Sequence, residues 1–423
     1  MASWDETNLL RRVTEALAFA ERAISTLGSD GYFDADDPAI SVRREKVVGE
    51  TALLLLAGAR ISDRAGVRPY IDRLAAQLIP LARSERIKMA MCLQPSLAHD
   101  FAFAHGCLTR LGFADSGFDD VLTDCLRAEE ALCRESLPHH IIEQNWIRAI
   151  WNIPAAPPAR KRAALTNSIL ADNVDVLFGT REDLYAFTHA LLFATDLGAQ
   201  RRRMPRGIVT ATAAAEAALA HCIDADDFDL AGELLLVWPI LRQPWSAAAR
   251  FSFQVLARVE DEVGFLPAPI VRAERYWSLE GEKQKKYGLA AAYHTAYVMG
   301  LLCAVILATG HCPPRAIPGR RARAGAAVAI AHGGEPTRQW QLDFAQLSPR
   351  QQDALAPWLL TMAIQRAARE TDFARIQQLL EIGVRYGIVA GPAPRQAAHL
   401  LRRAANVVGG RQTDEPQAAL KAL

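Results

Sequence analysis

The stretch from Tyr185 to Gly198 carries polar side chains on an otherwise apolar segment. A helix would place Tyr185 and His189 on one face, because they are four residues apart, and Asp196 returns to nearly the same azimuth seven residues after His189. Seven residues rise about 10.5 Å at ~1.5 Å each, which is more than two side chains can span to one metal ion. We therefore interpret His189 and Asp196 as separate parts of a cavity wall.

Asp196 lies in the predicted last turn of this helix, with Gly198 as the expected cap. The helix dipole disfavours an anion there, so a cation, a substrate group or the arginines at 201–203 should compensate the charge. Alternatively, Asp196 forms an ion pair with that basic loop and His189 is a hydrogen-bonded core histidine. Both interpretations stay open from the sequence.

A second histidine occurs in the sequence Tyr293-His294-Thr295, inside the most apolar segment of the chain. A buried imidazole must be hydrogen-bonded or bound to a ligand. If His294 faced His189 across a ring of helices, the two could form a catalytic or metal-binding pair. The alternative is a core histidine bonded to a backbone carbonyl or a tyrosine.

Two further histidines follow Pro138, and Glu143 follows them. Proline suits the first turn of a helix, where the dipole favours the neutral imidazole that can ligate a metal. His139 and His140 precede Glu143 by four and three residues, so either pair could share an ion. Ordinary helix capping is the alternative explanation.

Other chemistries leave no motif in the sequence. There is no Walker A loop, no G-x-G-x-x-G after a strand, no G-x-S-x-G and no H-E-x-x-H, so neither a nucleotide nor a flavin is predicted. The 48 Lys+Arg balance the 47 Asp+Glu, and the basic runs at 201–203 and 319–323 lack interleaved aromatics, which argues against nucleic acid and anionic membranes as partners. The aspartates at 224–229 lack a D-D-x-x-D spacing and are predicted to cap a helix.

The elements that position these residues are predicted to be helices. Apolar residues recur at helical spacing between Gly, Pro and Asp breaks, while strand-like alternation is nearly absent. Short connections predict antiparallel helical hairpins. The segments at 207–222 and 289–309 are apolar nearly all round, as inner helices of a closed ring must be. We therefore expect an all-α fold of the (α/α) toroid type, with an open α-solenoid as the alternative.

The predicted organisation has four parts: N-terminal helices packing on the main body (1–90), a core helical-hairpin domain (91–310), C-terminal helices completing the ring (311–408) and a flexible tail (409–423). The first helix is expected at 6–27 with Gly28 as its cap, and 263–288 is expected to be an irregular rim loop or lid.

The expected location is the cytoplasm. The seven cysteines are odd in number and form no C-x-x-C pair, and the N-terminus lacks the basic-then-apolar order of a secretory signal. Residues 289–309 are long and apolar enough to cross a bilayer. Because this segment contains Tyr293, His294 and Tyr297, we interpret it as a buried inner helix.

Three short motifs resemble a family of uncharacterised bacterial helical proteins often found in natural-product gene clusters. The motifs are Glu143-Gln-Asn-Trp146, Tyr185-Ala-Phe-Thr-His189 with Thr195-Asp196-x-Gly198, and Tyr293-His294-Thr295. The resemblance covers roughly residues 90 to 310. It implies an α/α-toroid-like fold and a setting in small-molecule biosynthesis, but no particular reaction.

The leading hypothesis is a cytoplasmic biosynthetic enzyme acting on a small molecule in a cavity lined by His189, His294, Glu143, Tyr185 and Asp196. His189, His294 and Glu143 would bind a divalent ion, iron or zinc. A metal-independent enzyme is the alternative, with His189 or Glu143 as general acid or base in a cyclisation, elimination or hydrolysis. A non-catalytic helical scaffold is a third hypothesis, and a homo-oligomer stays open.

Overall fold

The fold is all-α. A computed structural model describes residues 5–33, 41–128, 136–151, 163–317, 325–330 and 337–408. The first eight helices are α1 (Glu6–Ser25), α2 (Arg44–Ala59), α3 (Val67–Ala82), α4 (Glu85–Leu93), α5 (Ala98–Phe101), α6 (Phe103–Arg110), α7 (Ser116–Arg127) and α8 (Pro138–Ile150). Two strands of two residues each, β1 (Tyr32–Phe33) and β2 (Ser41–Val42), pair antiparallel between α1 and α2.

The remaining helices follow in chain order. They are α9 (Arg181–Ala194), α10 (Ile208–Asp224), α11 (Phe228–Leu235), α12 (Val237–Leu241), α13 (Ala247–Val263), α14 (Ala273–Ser278) and α15 (Gly281–Thr309). The last six are α16 (Ala326–Ile330), α17 (Gln339–Ala345), α18 (Pro349–Ala354), α19 (Ala356–Arg369), α20 (Phe373–Tyr386) and α21 (Pro392–Val408). Short 3₁₀ turns occur at Pro95–Leu97 and Ile169–Ala171.

Polar side chains explain where several helices begin. The carboxylate of Asp5 accepts a hydrogen bond from the Asn8 amide at the start of α1, and the hydroxyl of Ser246 accepts one from Ala249 at the start of α13. Asp227 caps α11 in the same way and Asp229 lies in its first turn, as predicted, whereas Asp224 ends α10 and pairs with Arg338 and Arg366. Each cap satisfies an amide that has no partner within its own helix.

Two predicted boundaries were wrong for identifiable reasons. Helix α1 ends at Ser25 rather than at Gly28, because the Tyr32 hydroxyl donates to the Ala23 carbonyl at 2.6 Å and fixes the last turn. The predicted irregular segment at 263–288 contains α14 and the first turns of α15. Those turns are polar and exposed, so the apolar spacing used for the prediction did not register them.

The contacts divide the chain into two compact units. Unit 1 comprises Met1–Ser168, His189–Arg202 and Phe265–Cys312, and unit 2 comprises Ile169–Thr188, Arg203–Gly264 and Pro313–Leu423. Ring closure and the predicted boundaries at residues 90 and 310 stay predictions. The predicted flexible tail at 409–423, the basic run at 319–323 and Cys133 lie outside the described residues. None of the described cysteines forms a disulfide bond with another described cysteine.

Unit 1 is built around α15. This helix packs along α1 and also contacts α2, while α2 packs against α3 and α6, and α6 against α8. A smaller apolar cluster joins α4 and α7 through Ile87, Met91, Phe118 and Leu122. The buried interior of unit 1 therefore combines helices from the N-terminal part of the chain with α15, which comes much later in the sequence.

Unit 2 is built around α10. This helix packs against α11, α13 and α19, and α19 packs against α20 and α21. Gln365 is almost completely buried on α19, and its side-chain amide donates to the carbonyls of Val176 and Ala217 at 2.8 and 2.9 Å. Gln365 thus connects α10 and α19 with the chain that precedes α9.

Helix α15 is the one described helix that is long and apolar enough to cross a membrane, but 89% of its most apolar window is buried inside the protein. A helix that spans a membrane would expose that surface to lipid. The burial agrees with the interpretation of this segment as a buried inner helix.

Gly300 marks the closest approach of α15 to α1. A methyl group at this position would collide with the Ala16 side chain and lie 3.1 Å from Leu54 on α2. We expect Gly300→Ala to lower the free energy of unfolding by about 1–3 kcal/mol, because the overpacking outweighs the better helix propensity of alanine. Urea denaturation measures the effect.

Gly49→Ala on α2 is the matched control, because its methyl group would lie at an ordinary 3.6 Å from Phe103. This variant should be neutral or gain about 0.5–1 kcal/mol. Equal effects of the two substitutions would contradict the close approach at Gly300.

Candidate functional site

The chain turns sharply after α9, at the residues predicted to form a helix cap. Asp196 and Leu197 adopt left-handed backbone conformations with φ of 53° and 52°, followed by Gly198 at 78°. The Thr195 hydroxyl accepts a hydrogen bond from the Gly198 amide at 3.2 Å. Left-handed conformations cost energy at non-glycine residues, so contacts elsewhere must stabilise this turn.

The Asp196 carboxylate makes those contacts. It is 7% exposed, its two oxygens accept from Arg110 at 2.5 and 2.6 Å, and the indole of Trp146 donates to it at 2.7 Å. Burial alone would raise the pKa of Asp196, but the hydrogen bonds from Arg110 and Trp146 outweigh it, and the pKa is lower than usual. Asp196 is therefore an ionised, positioned group.

The compensating arginine predicted for Asp196 exists, but it is not in the basic loop. Residues 201–203 are exposed, and the partner is Arg110, which comes from α6. This bidentate pair joins α6 to the turn after α9. Asp196 therefore forms an ion pair, as the alternative interpretation predicted, but with a different arginine. The pair does not by itself give Asp196 a catalytic role.

An aromatic cluster lies beside this ion pair. The ring centroids of Trp146 and Phe193 are 5.1 Å apart, and Phe103 lies 5.9 Å from Trp146 and 6.2 Å from Phe193. His189 contacts Phe193 edge-on at 5.7 Å. These rings form an apolar surface next to charged groups, which is the composition of small-molecule sites.

Glu143 precedes Trp146 by three residues and so lies on the same side of α8. Protein atoms surround its carboxyl group, although the residue keeps some solvent exposure. Burial, with a smaller contribution from Asp100, raises the pKa of Glu143 to about 8. None of the residues described donates a hydrogen bond to it. At neutral pH Glu143 is therefore mainly a protonated acid.

Cys107 connects Glu143 with the ion pair. Burial raises the pKa of the Cys107 thiol, the Arg110 charge opposes this, and the Glu143 charge adds to it. Cys107 therefore lies close to both side chains. On α6, Phe103, Cys107 and Arg110 are spaced i, i+4 and i+7, so one stripe of α6 faces the groups on α8 and α9.

The histidines at the start of α8 lie on the His189 side of this region. The rings of His139 and His140 are 4.1 Å apart between centroids. Burial lowers the pKa of His139 to about 4, with smaller effects from His140 and His189. His139 is therefore neutral at physiological pH and within electrostatic range of His189. An ion shared between these histidines and Glu143 stays a prediction.

His294 on α15 has a partner that the sequence analysis missed. Its Nδ1 lies 3.1 Å from a carboxylate oxygen of Glu50 on α2. Burial would raise the pKa of Glu50, but His294, Lys46 and a hydrogen bond from Tyr293 outweigh it and lower the pKa. This distance suits an ion pair with a protonated imidazole, although the contact does not meet hydrogen-bond geometry.

Helix α2, which carries Glu50, packs against α6, which carries Phe103 of the aromatic cluster. Gly49 precedes Glu50, and a methyl group there would lie 3.6 Å from Cδ1 of Phe103, an ordinary contact distance. The sequence contains one signal for Glu50: it follows a glycine and directly precedes the apolar run at 51–57.

The predicted site residues are thus only partly brought together. Glu143 and Asp196 share contacts around Cys107, Arg110 and Trp146, and His189 packs on Phe193. Tyr185 is half-buried, on the part of α9 that belongs to unit 2. Within the described ranges, the ligand atoms of Glu143, His189 and His294 do not all lie within 4.8 Å of one another.

A family model described as a domain of unknown function, DUF6895, matches residues 13–304. The chain belongs to the DUF6895 family. The DUF6895 match includes most of residues 1–90, for which the sequence analysis found no signature, and it includes Glu50, Arg110, Glu143, Asp196 and His294. No curated protein and no solved structure matches the chain.

Proposed function

We propose that this protein is an acid–base enzyme that acts on a small molecule in unit 1. Glu143 would supply a proton, and His294, oriented by Glu50, would accept one. The observation that carries the proposal is the pairing of two opposite environments in one unit: a carboxyl at Glu143 to which none of the described residues donates a hydrogen bond, and a carboxylate at Glu50 that lies 3.1 Å from an imidazole nitrogen. Environments that push the pKa values of two titratable groups apart are typical of a catalytic acid and a catalytic base.

The acid role of Glu143 is supported by its surroundings. A glutamate that is surrounded by protein and lacks a donor retains its proton at neutral pH, so it can protonate a leaving group or a carbonyl oxygen. The nearby charges are already paired, because Arg110 is engaged by Asp196. Arg110 therefore does not hold Glu143 in its ionised form.

The surroundings also indicate a substrate class. The rings of Trp146, Phe193 and Phe103 cluster beside the acid, and α2, which carries Glu50, packs against α6, which carries Phe103. An organic molecule with an apolar framework and one polar reacting group matches this composition. Elimination, cyclisation and hydrolysis are among the reaction classes that an acid and a base catalyse. The resemblance to natural-product proteins supports a cytoplasmic, biosynthetic setting.

A divalent ion, iron or zinc, is the second candidate and uses the same histidine. Metal-bound histidines usually direct their second ring nitrogen to a carboxylate, as Nδ1 of His294 does to Glu50. His294 would then be a ligand through Nε2, whereas the ligand atoms of Glu143 and His189, the other predicted ligands, do not converge with it within the described residues. The ion would supply Lewis-acid activation of the substrate.

The test compares wild type with His294→Ala on small-molecule extracts analysed by mass spectrometry. We expect wild type to consume a compound that the variant leaves unchanged, because the variant lacks the base. Glu282→Gln, at an exposed position of the same helix, is the control and should match wild type. If wild type changes no compound, or the His294 variant changes the same ones, the proposal is wrong.

Metal analysis of the same samples, purified without chelators or a histidine tag, separates the two candidates. Activity without stoichiometric metal supports the acid–base enzyme. Metal that is bound by wild type and lost in His294→Ala supports the metal-dependent one.

A further inference from the structure

Two cysteines of unit 1 are in contact where α4 packs against α7. Cys92 lies on α4 and Cys125 on α7, and their Sγ atoms are 3.8 Å apart. The Cys125 thiol donates a weak hydrogen bond to the Cys92 sulfur. The separation is about 1.8 Å longer than a disulfide bond of ~2.05 Å. The two sulfurs are therefore adjacent but not joined.

The two thiols differ in their access to solvent. Cys92 is exposed, whereas Cys125 is 7% exposed and belongs to the apolar cluster with Phe118 and Leu122. Burial raises the pKa of the Cys125 thiol to about 11, so Cys125 keeps its proton near neutral pH. A dissolved oxidant therefore reaches Cys92 first, and Cys125 waits beside it as a protected thiol.

The position of Cys92 in its helix allows the remaining approach. Helix α4 ends at Leu93, one residue after Cys92. Carbonyl groups in the last turn of a helix have no partner within that helix, so this turn can shift with little loss of hydrogen bonds. Rotation of the Cys92 side chain together with a small shift of this turn can close the gap to Cys125.

From these features we infer that Cys92 and Cys125 are a redox-sensing pair that forms a reversible disulfide when the protein meets hydrogen peroxide. Sensor cysteines are accessible thiols that lie next to a second, resolving thiol. Cys92 is the thiol that reacts with the peroxide, and Cys125 is the resolving thiol. The pair is independent of the acid–base groups proposed for the same unit.

The reaction has two balanced steps. The Cys92 sulfur attacks one oxygen of hydrogen peroxide, the O–O bond breaks, and Cys92 becomes a sulfenic acid as one water leaves. The Cys125 sulfur then attacks the Cys92 sulfur and the S–O bond breaks. The hydroxyl group leaves with the Cys125 proton as a second water. The two thiols lose two electrons, and the peroxide accepts both.

The disulfide has a structural consequence for unit 1. It joins residues that are 33 apart in the sequence and so encloses α5 and α6 in a covalent loop. A closed loop restricts the unfolded chain, which favours the folded state. Because α6 carries Arg110, the partner of Asp196, oxidation restrains a helix that the turn after α9 depends on.

The experiment treats the full chain with hydrogen peroxide, alkylates the remaining thiols and maps tryptic peptides by mass spectrometry without a reductant. Trypsin leaves Cys92 in the peptide 89–110 and Cys125 in the peptide 111–127. We expect these two peptides to be linked, and dithiothreitol to separate them. Since 89–110 also contains Cys107, fragment spectra assign the bond to Cys92.

Two serine variants test the separate roles. Cys92→Ser should lose the linked peptides. Cys125→Ser should lose them as well, but its Cys92 sulfenic acid lacks a resolving thiol and should be labelled by dimedone more strongly than in wild type. Circular dichroism checks that both variants are folded. Oxidised wild type should unfold at a higher urea concentration than reduced wild type, whereas Cys92→Ser should show no such shift.

Cys312→Ser is the matched control, because it removes another exposed cysteine of unit 1. This variant should form the Cys92–Cys125 bond as wild type does. The inference is overturned if wild type forms no linked peptides, if Cys92 links to a cysteine other than Cys125, or if Cys125→Ser and wild type take up dimedone equally.

Discussion

Glu143→Gln is expected to lower turnover of the substrate by about 10²–10⁴-fold, the usual loss when a general acid is removed. Glutamine keeps the size of the side chain but has no transferable proton. Turnover of the compound identified by mass spectrometry is the measurement. Glu85→Gln, at an exposed position of unit 1, is the control and should retain full activity. Equal activity in the two variants would rule out Glu143 as the acid.

The same variant should change the pH dependence of stability. Burial raises the pKa of Glu143 to about 8 in the folded state, whereas an unfolded glutamate titrates near ~4.3. The folded protein therefore holds this proton more tightly, and its contribution to stability is lost as pH rises from about 4.5 to about 8.

Glu143→Gln removes this loss. The variant should be more stable than wild type at pH 8, and the difference should shrink towards pH 5. Urea denaturation at the two pH values measures it. A difference that does not depend on pH would show that the Glu143 pKa is not raised. Lower activity together with higher stability at alkaline pH would distinguish a functional group from a packing residue.

Asp196→Ala is expected to lower the free energy of unfolding by about 3 kcal/mol. The substitution leaves Arg110 and the Trp146 indole without their shared acceptor and puts alanine in a left-handed conformation. The value is at the low end for a buried pair because 36% of the Arg110 side chain is exposed. Urea denaturation measures the change.

Asp72→Ala is the matched control. Asp72 pairs with Arg68 at 3.0 Å, but both side chains are more than half exposed. Loss of such a surface pair costs about 0–1 kcal/mol. A similar effect of the two substitutions would mean that the Asp196 pair does not stabilise the turn after α9.

The sequence predicted the features that depend on neighbouring residues. Apolar residues at helical spacing predicted the all-α class, and Pro138 predicted the start of α8. The axial rise between His189 and Asp196 argued against one chelate, and the structure gives them different neighbours, Phe193 and Arg110. These inferences need only the geometry of a single helix.

The sequence could not predict partners that lie far apart along the chain. Arg110 precedes Asp196 by 86 residues, and Glu50 and His294 come from α2 and α15. Helical periodicity states which face of a helix is buried but not which helix covers it. The charge of Asp196 predicted a compensating cation. Proximity in sequence favoured the arginines at 201–203 over Arg110, which is the actual partner.

The packing of α1 along α15 has a consequence for synthesis on the ribosome. About 280 residues must be added after α1 before α15 is complete, which takes roughly 14–56 s at common elongation rates. During that time the part of α1 that packs on α15, including Ala16 opposite Gly300, lacks the helix that covers it in the finished protein. The nascent chain therefore exposes an apolar surface until late in translation. We expect chaperones that bind emerging apolar segments to associate with it.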